Sequence, residues 1–145
     1  MVEISTVANT CTLMHVRKAS RVITQLYDEA LQPSGLLSNQ FTILVTLARV
    51  GSATMNTLAQ QLVMDRTTLT RNLKPVEKKG LIEIKPGQDK RTRLVSLTAL
   101  GENTLEQALP RWEQAQSQVI ATLGEKQWRA FLAGLSHTAQ LGQLE

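Results

Sequence analysis

A cluster of basic side chains in the middle of the chain is the feature of this sequence best suited to binding chemistry. Nine Lys or Arg residues and four Asp or Glu residues lie between Asp65 and Arg93, which gives that segment a net charge of +5. The rest of the chain holds seven basic and eight acidic residues, a net charge of −1. Guanidinium and ammonium groups gathered in this way neutralise phosphates, so the charge distribution indicates a polyanionic partner.

Helical periodicity places part of this cluster on one face of a helix. Asp65 is a good N-cap for a helix that ends at Gly80, and Leu69, Leu73 and Val76 fall on its inward face. The opposite face carries hydroxyl and cationic side chains, namely Thr67, Arg71, Lys74 and Lys78. Arginine can read guanine through two hydrogen bonds in a major groove, and Thr and Lys can hold phosphates. We therefore predict that this helix contacts DNA through Arg66, Thr67, Thr68, Thr70, Arg71 and Lys74.

Three further helices are predicted before this basic helix. An apolar stripe begins at Leu13 and predicts a helix that ends before the turn sequence Pro33-Ser34-Gly35. Ser38 is predicted to cap the next helix, which Gly51-Ser52 ends. Asn56 is the predicted N-cap of a short helix that a tight turn joins to the basic one.

After Gly80 the apolar period changes from helical to alternating. Residues 81–85 and 94–97 are short strand-like runs around a polar loop, which predicts a β-hairpin. A long helix then begins near Thr98, bends at Pro110 without ending, and stops at Gly124, and a last helix follows from about Glu125. The predicted fold class is mainly α with a small β-hairpin wing (α+β), in the order of a winged helix-turn-helix.

Composition narrows the class of protein. The 145 residues fit one domain, and with 42% hydrophobic and 19% charged residues the chain is expected to fold without disulfides. No apolar run approaches the roughly 20 residues of a membrane span, and no secretory signal is visible, so we expect a cytoplasmic protein without membrane contact. One cysteine with two distant histidines makes no recognisable metal spacing. We predict no metal and no cofactor.

Ordered motifs make the chain resemble the MarR (multiple antibiotic resistance regulator) family. Residues 58–101 read LAQQLVMDRTTLTRNLKPVEKKGLIEIKPGQDKRTRLVSLTALG. The motifs, in order, are TLTR, the E-K-K-G-L-I that leaves the helix, the D-x-R of the wing at Asp89 to Arg91, and the L-T-x-x-G at Leu97 to Gly101. The preceding YDEALQPSGLLSNQFTIL and the flanking helices are also similar to the family, so the resemblance covers nearly the whole chain.

The resemblance implies a bacterial homodimer that presents two recognition helices to a pseudopalindromic operator in double-stranded DNA. It implies a DNA-binding part at about 36–100 and a helical dimerisation part at about 8–32 and 101–145 of a single unit. In the family the wing arginine reaches the minor groove, which assigns this contact to Arg91, with Asp89 orienting it and Arg93 supporting a backbone contact. The expected dimer contacts are Leu13, Val16, Leu109, Trp112, Val119, Trp128, Phe131 and Leu135.

The sequence is compatible with two different regulatory signals. The resemblance implies a repressor whose DNA binding is relieved by a lipophilic or aromatic acid bound between the dimerisation helices and the winged part. His15, Arg17, Arg21 and Tyr27 could line that site. One branch of the family senses oxidants through a single cysteine near the start of the first helix, which corresponds to Cys11 here. A helix N-terminus favours the reactive thiolate, although Tyr27 is the sole tyrosine available to support such a sensor.

Other classes of function are weighed against DNA binding. An enzyme is not expected, because the sequence has no Gly-rich phosphate loop, nucleophile elbow or metal-ligand cluster. The alternative is a winged-helix module for protein contact or for non-specific DNA binding. An aromatic content of 3% argues against stacking on single-stranded bases.

Overall fold

The computed structural model describes residues 1–143 and contains seven α-helices, three short strands and two 3₁₀ turns within that range. The helices are α1 (Ile4–Thr10), α2 (Thr12–Leu31), α3 (Ser38–Val50), α4 (Met55–Leu62), α5 (Arg66–Lys78), α6 (Ala99–Leu123) and α7 (Glu125–Ala139). The strands are β1 (Ala53–Thr54), β2 (Ile82–Pro86) and β3 (Arg93–Leu97), and the 3₁₀ turns cover Gln32–Ser34 and Gln140–Gln143. The predicted class, mainly helical with a small wing, is confirmed. The last two residues of the predicted dimerisation part, 144 and 145, lie outside the described residues.

The three strands form one antiparallel sheet in the order β1-β3-β2. Strands β2 and β3 form the predicted hairpin, in which Ile84 lies opposite Val95. Strand β1, which was not predicted, pairs with the other edge of β3, where Ala53 lies opposite Val95. Ala53 and Val95 are both buried, so the sheet joins the hairpin to the helices through its central strand. We call β2, β3 and the loop 87–92 between them the wing.

One hydrophobic core holds the helix-turn-helix to the long helices. The inward face predicted for α5 is confirmed, since Leu69, Leu73 and Val76 are buried in that core. They pack in the same cluster as side chains of α3 and the wing, such as Leu44 and Val95. Because burial of apolar surface is favourable, this face holds the helix in the domain.

Several helix ends differ from the predictions. The cap of α4 is Thr54, whose Oγ1 accepts a hydrogen bond from the Thr57 N–H at 3.1 Å, so the prediction of Asn56 was wrong. Helix α4 starts earlier because Ala53 pairs in the sheet and Met55 is buried. Leu37, not Ser38, occupies the N-cap position of α3: its backbone is extended and its N–H donates to Gln40 Oε1, while Ser38 is the first helical residue and its N–H donates to Asp28 of α2. Helix α1 was not predicted, since it buries no residue and so has no inward stripe.

The ends of α5 and α6 agree with the predictions. Asp65 caps α5 and Thr98 caps α6, and α6 continues past Pro110 to Gly124. Within the described residues no helix is long and apolar enough to cross a membrane.

Candidate DNA-binding surface

Asp65 sets the start of the basic helix. Its Oδ1 accepts a hydrogen bond from the Thr68 N–H at 2.7 Å, and its Oδ2 accepts one from the Thr68 hydroxyl at 3.0 Å. These two bonds from Thr68, the backbone one being the stronger cause, hold the pKa of the Asp65 carboxyl below its usual value. Asp65 therefore stays ionised as a cap, and the hydroxyl of Thr68, predicted to contact DNA, is bonded to that cap in this structure.

Most of the predicted contact residues on α5 lie together. Arg66, Thr67, Thr70, Arg71 and Lys74 line one shallow open concavity along the exposed face of the helix. The Thr70 hydroxyl donates to the carbonyl of Arg66 at 2.9 Å, so its proton is already bonded within the helix. The buried apolar face and this polar face thus occupy opposite sides of the same 13-residue helix.

Arg93 extends this surface from the wing. It lies on β3 and lines a second concavity with Arg66, Thr70 and Lys74, and Glu77 is also part of that lining. We call these side chains the basic face: Arg66, Thr67, Thr70, Arg71, Lys74 and Arg93.

The carboxylates Asp65 and Glu77 lie near the basic face, but among the described residues neither of them is within ion-pair distance of its cations. Among residues 1–143 the ion pairs within 4.0 Å are Lys85 with Glu83 and Arg129 with Glu125, and neither involves the basic face. The pairing of Lys85, at 3.0 Å, leaves it a weaker candidate for phosphate contact than the unpaired side chains. Unpaired, exposed cations on one face are what a phosphate backbone neutralises.

The wing loop is held by Asp89. Its Oδ1 accepts a hydrogen bond from the Arg91 backbone N–H at 3.1 Å, and its carbonyl oxygen accepts bonds from the N–H and the hydroxyl of Thr92 at 2.9 and 2.7 Å. The Gly87 N–H donates to the Thr92 carbonyl at 2.7 Å and closes the loop. Asp89 therefore holds the backbone at Arg91, and the Arg91 side chain is exposed on the loop 87–92.

The residues predicted for dimer contact fall into two groups. Several are apolar side chains that stay exposed in the single chain, among them Leu13, Val16, Leu109, Phe131 and Leu135. Val119 and Trp128 are half-buried. Trp112 differs, because it packs against the core of its own chain.

A cavity of about 520 Å³ lies where α2, α3 and α6 meet. Of the four residues predicted for an effector site, Tyr27 lines it, whereas His15, Arg17 and Arg21 are exposed on α2 and do not. The Tyr27 hydroxyl donates to the Gln116 side-chain carbonyl of α6, and burial raises the pKa of Tyr27. The rest of the lining is mostly apolar, and it includes Ile23, Leu31, Phe41, Met64 and Trp112.

Cys11 lies between α1 and α2 and is half-buried. It occupies the N-cap position of α2, but its side chain makes no capping bond. Its carbonyl oxygen accepts hydrogen bonds from the backbone N–H and the ring Nδ1 of His15, at 3.2 and 2.8 Å. The break between the two helices is therefore at the cysteine.

Two interactions of functional weight were not predicted. Lys79, at the end of α5, donates to Gly35 on the connection between α2 and α3 and to Gln40 in the first turn of α3, both about forty residues away in sequence. Gly101, part of the L-T-x-x-G motif, lies so close to the Leu81 carbonyl that a Cβ at Gly101 would be 2.0 Å from that oxygen. The L-T-x-x-G motif pointed to Gly101, but its close approach to the Leu81 carbonyl is visible only in the fold.

A helix-turn-helix followed by a β-hairpin wing, with unpaired cations on the second helix, defines a winged helix-turn-helix DNA-binding protein. The MarR family model matches residues 36–92. The M. tuberculosis transcriptional regulator MosR, in a crystal structure with DNA, superposes with a TM-score of 0.84 at 35% identity, over 92% of this chain and 96% of MosR. The chain belongs to the MarR family of transcriptional regulators.

Curated relatives agree with this family. The HTH-type regulator YwoH of Bacillus subtilis is 29% identical over 120 residues, 82% of this chain and 88% of YwoH. The organic hydroperoxide resistance transcriptional regulator of B. subtilis is 33% identical over 100 residues, 68% of this chain and 67% of the relative. The chain is thus a DNA-binding transcriptional regulator and not an enzyme.

Proposed function

We propose that this regulator binds a specific pseudopalindromic operator in double-stranded DNA as a homodimer and acts as a repressor in the cytoplasm. The observation that carries the proposal is the basic face, whose exposed cations have no carboxylate partner among the described residues. Residues at about 36–100 are the DNA-binding part, and those at about 8–32 and 101–145 are the dimerisation part. Arg71 is assigned to base reading in the major groove, and Arg91 to the minor groove.

Binding to labelled DNA from the regulator's own promoter region tests this assignment, with a scrambled duplex measured in parallel at several salt concentrations. We expect at least about a thousandfold preference for the promoter, which is the lower end for specific regulators. The double variant Arg71→Ala plus Arg91→Ala should lose that preference. Arg111→Ala plus Lys126→Ala removes the same charge from exposed sites on α6 and α7 and should keep it.

Two results would contradict specific regulation. Equal and steeply salt-dependent affinity for both duplexes would leave a non-specific electrostatic DNA binder. No binding to either duplex would instead favour a winged-helix module that contacts protein.

The homodimer is supported by exposed apolar side chains on the terminal helices. Leu13 is 59% exposed on α2, while Phe131 and Leu135 are 36% and 40% exposed on α7. Exposed apolar surface of this kind marks an interface when it is contiguous. Light scattering should give a dimer for the native chain and a monomer for Leu135→Glu, and a wild-type monomer at micromolar concentration would overturn the assembly.

The effector site is proposed at the cavity between α2, α3 and α6. Its apolar walls, Trp112 among them, fit the ring of a small lipophilic acid, whose carboxylate would compete with Gln116 for the Tyr27 hydroxyl proton. Benzoate is a suitable probe, in a Trp128→Phe background that leaves Trp112 as the sole tryptophan. We expect benzoate to quench the Trp112 fluorescence saturably and to weaken operator binding. If fluorescence and operator affinity both change only linearly with benzoate concentration, acids of this kind do not bind the cavity.

A second candidate signal is an organic hydroperoxide acting at Cys11. Two observations favour it: Cys11 occupies the break between α1 and α2, and one relative is an organic hydroperoxide resistance regulator. A thiolate would be oxidised to the sulfenic acid while the hydroperoxide is reduced to its alcohol. Cumene hydroperoxide should then weaken operator binding of the native chain but not of Cys11→Ser, and equal responses of the two would exclude this signal.

A further inference from the structure

Lys79 differs from the other cations of the basic segment in what its ammonium group contacts. It is the C-cap of α5, and its Nζ donates to the Gly35 carbonyl at 2.7 Å and to Gln40 Oε1 at 3.0 Å. Gly35 closes the 3₁₀ turn after α2, and Gln40 is in the first turn of α3. The end of α5 is therefore tied to the connection between two other helices.

The acceptors of this tie are themselves fixed. Gln40 is 5% exposed, and its Oε1 also accepts the Leu37 N–H at 3.1 Å. On the other side, Asp28 of α2 accepts the Ser38 N–H at 2.6 Å. We call residues 31–41, which comprise the end of α2, the connection and the first turn of α3, the α2–α3 corner; it is thus held by α2 through Asp28 and by α5 through Lys79.

The location of Lys79 argues against a phosphate contact. In a helix-turn-helix the N-terminal residues of the second helix reach the base edges. A helix of 13 residues is about 20 Å long at 1.5 Å per residue, so Lys79 lies about that far from Arg66 at the other end of α5. Lys78 and Lys79 are both exposed, but the Lys79 ammonium group is already bonded to the Gly35 carbonyl and Gln40 Oε1, whereas Lys78 makes no hydrogen bond or ion pair among the described residues.

We propose that Lys79 is a positioning residue that sets the orientation of α5 by tying its C-terminal end to the α2–α3 corner. This inference rests on the proposed operator specificity. Loss of the tie changes the angle at which the basic face meets the groove, so base reading suffers more than phosphate neutralisation. The proposed effector cavity is walled by Leu31, Ser38, Asn39 and Phe41 at the same corner, so an occupant that moves the corner acts on α5 through the same bonds.

The test compares Lys79→Met with Lys78→Met, two adjacent substitutions that remove one charge each and retain an unbranched side chain. For Lys79→Met we expect promoter affinity to fall about tenfold while scrambled-duplex affinity changes less than twofold. The slope of log affinity against log salt should stay the same. For Lys78→Met any loss should be equal for both duplexes, and a lost phosphate contact would reduce the slope by about 0.9.

Two outcomes overturn the proposal. If Lys79→Met weakens both duplexes equally with a reduced salt slope, Lys79 is a phosphate contact. If it changes neither affinity, the tie does not set the orientation of α5. A Gln40→Met and Lys79→Met double-mutant cycle is the second measurement, since tied residues should give losses in promoter affinity that are not additive.

Hydrogen exchange separates failure of this inference from failure of the proposed function. The amides of Lys79 and Gly80 bond to the carbonyls of Pro75 and Glu77, at the end of α5. They should exchange faster in Lys79→Met than in Lys78→Met, whether or not the native chain prefers its promoter. Equal exchange in the two variants would show that no tie exists, whereas faster exchange without promoter preference would refute operator specificity alone.

Discussion

Gly101→Ala is the substitution for which the structure gives the sharpest expectation. Gly101 is in the first turn of α6, and a Cβ there would be 2.0 Å from the Leu81 carbonyl oxygen and 2.9 Å from its carbon. Carbon and oxygen ordinarily approach to about 3.3 Å, so the backbone would have to move by more than about 1 Å. That carbonyl also accepts the Thr98 N–H at 3.1 Å, so the movement would disturb the junction of the wing with α6.

Two opposing effects decide the sign of the change. Alanine is favoured over glycine inside a helix by about 1 kcal/mol, whereas forcing a methyl group into packed structure costs about 1–3 kcal/mol or more. The obstacle at Gly101 is backbone and not a flexible side chain, so the upper end applies and we expect a net loss of about 2 kcal/mol. At about 2–4 °C per kcal/mol for a chain near this size, Tm should fall by about 4–8 °C.

Thermal unfolding followed by circular dichroism measures this change, with Gly134→Ala as the control. Gly134 lies inside α7, and a Cβ there meets nothing of the described chain within 4 Å, so helix propensity alone should raise Tm by about 2–4 °C. Both variants are measured at one protein concentration, with the oligomeric state checked, because α7 is a proposed dimer helix. A Gly101→Ala protein stabilised as much as Gly134→Ala would refute the close approach.

Other titrations and substitutions test single contacts. Hydrogen bonds from Thr68 lower the pKa of Asp65, so its stabilising effect is present above the unfolded pKa near 4 and is lost as pH falls through the lower folded value. Urea unfolding at pH 2–6 should therefore show a smaller fall in the free energy of unfolding on the acid limb for Asp65→Asn, which still caps α5. Burial raises the pKa of Tyr27, so the folded state is favoured below about pH 10 and loses stability as pH rises through the folded pKa. Tyr27→Phe should remove that loss when the free energy of unfolding of the variant and of the native chain is compared between pH 8 and 11. Thr98→Ala removes the cap of α6 and a bond to the Gly80 carbonyl, and should cost about 1–2 kcal/mol in urea unfolding, whereas Thr104→Ala, which removes only a bond to its own helix, should cost less than about 0.5 kcal/mol. An unchanged acid limb, an unchanged alkaline limb, or equal costs at the two threonines would contradict these three expectations in turn.

Local patterns in the sequence were enough to predict most elements of the fold. The stripe of Leu69, Leu73 and Val76, the cap at Asp65 and the cap at Thr98 are interactions within one turn or one face, which spacing reveals directly. Features that depend on distant partners were missed. Strand β1 is two residues long and exists as a strand because β3 pairs with it.

The candidate site divides in the same way. The basic face could be predicted because charge and helical period are local, whereas nothing near Lys79 in sequence distinguishes it from Lys78. The distinction comes from Gly35 and Gln40, which only the folded chain brings to the ammonium group. The effector prediction shows the same limit, since Tyr27 lines the cavity while Arg17 and Arg21, on the same helix, are exposed.

The opposite faces of α5 have separate energetic roles. Leu69 and Leu73 are buried and hold the helix, whereas Arg71 and Lys74 are exposed and form no ion pair within 4.0 Å among residues 1–143. Surface substitutions away from packed features change stability by less than about 0.5 kcal/mol, so truncating the cations should alter DNA affinity and leave unfolding nearly unchanged. A regulator of this design can therefore change its operator preference on one face of the helix without reworking the core that the other face supports.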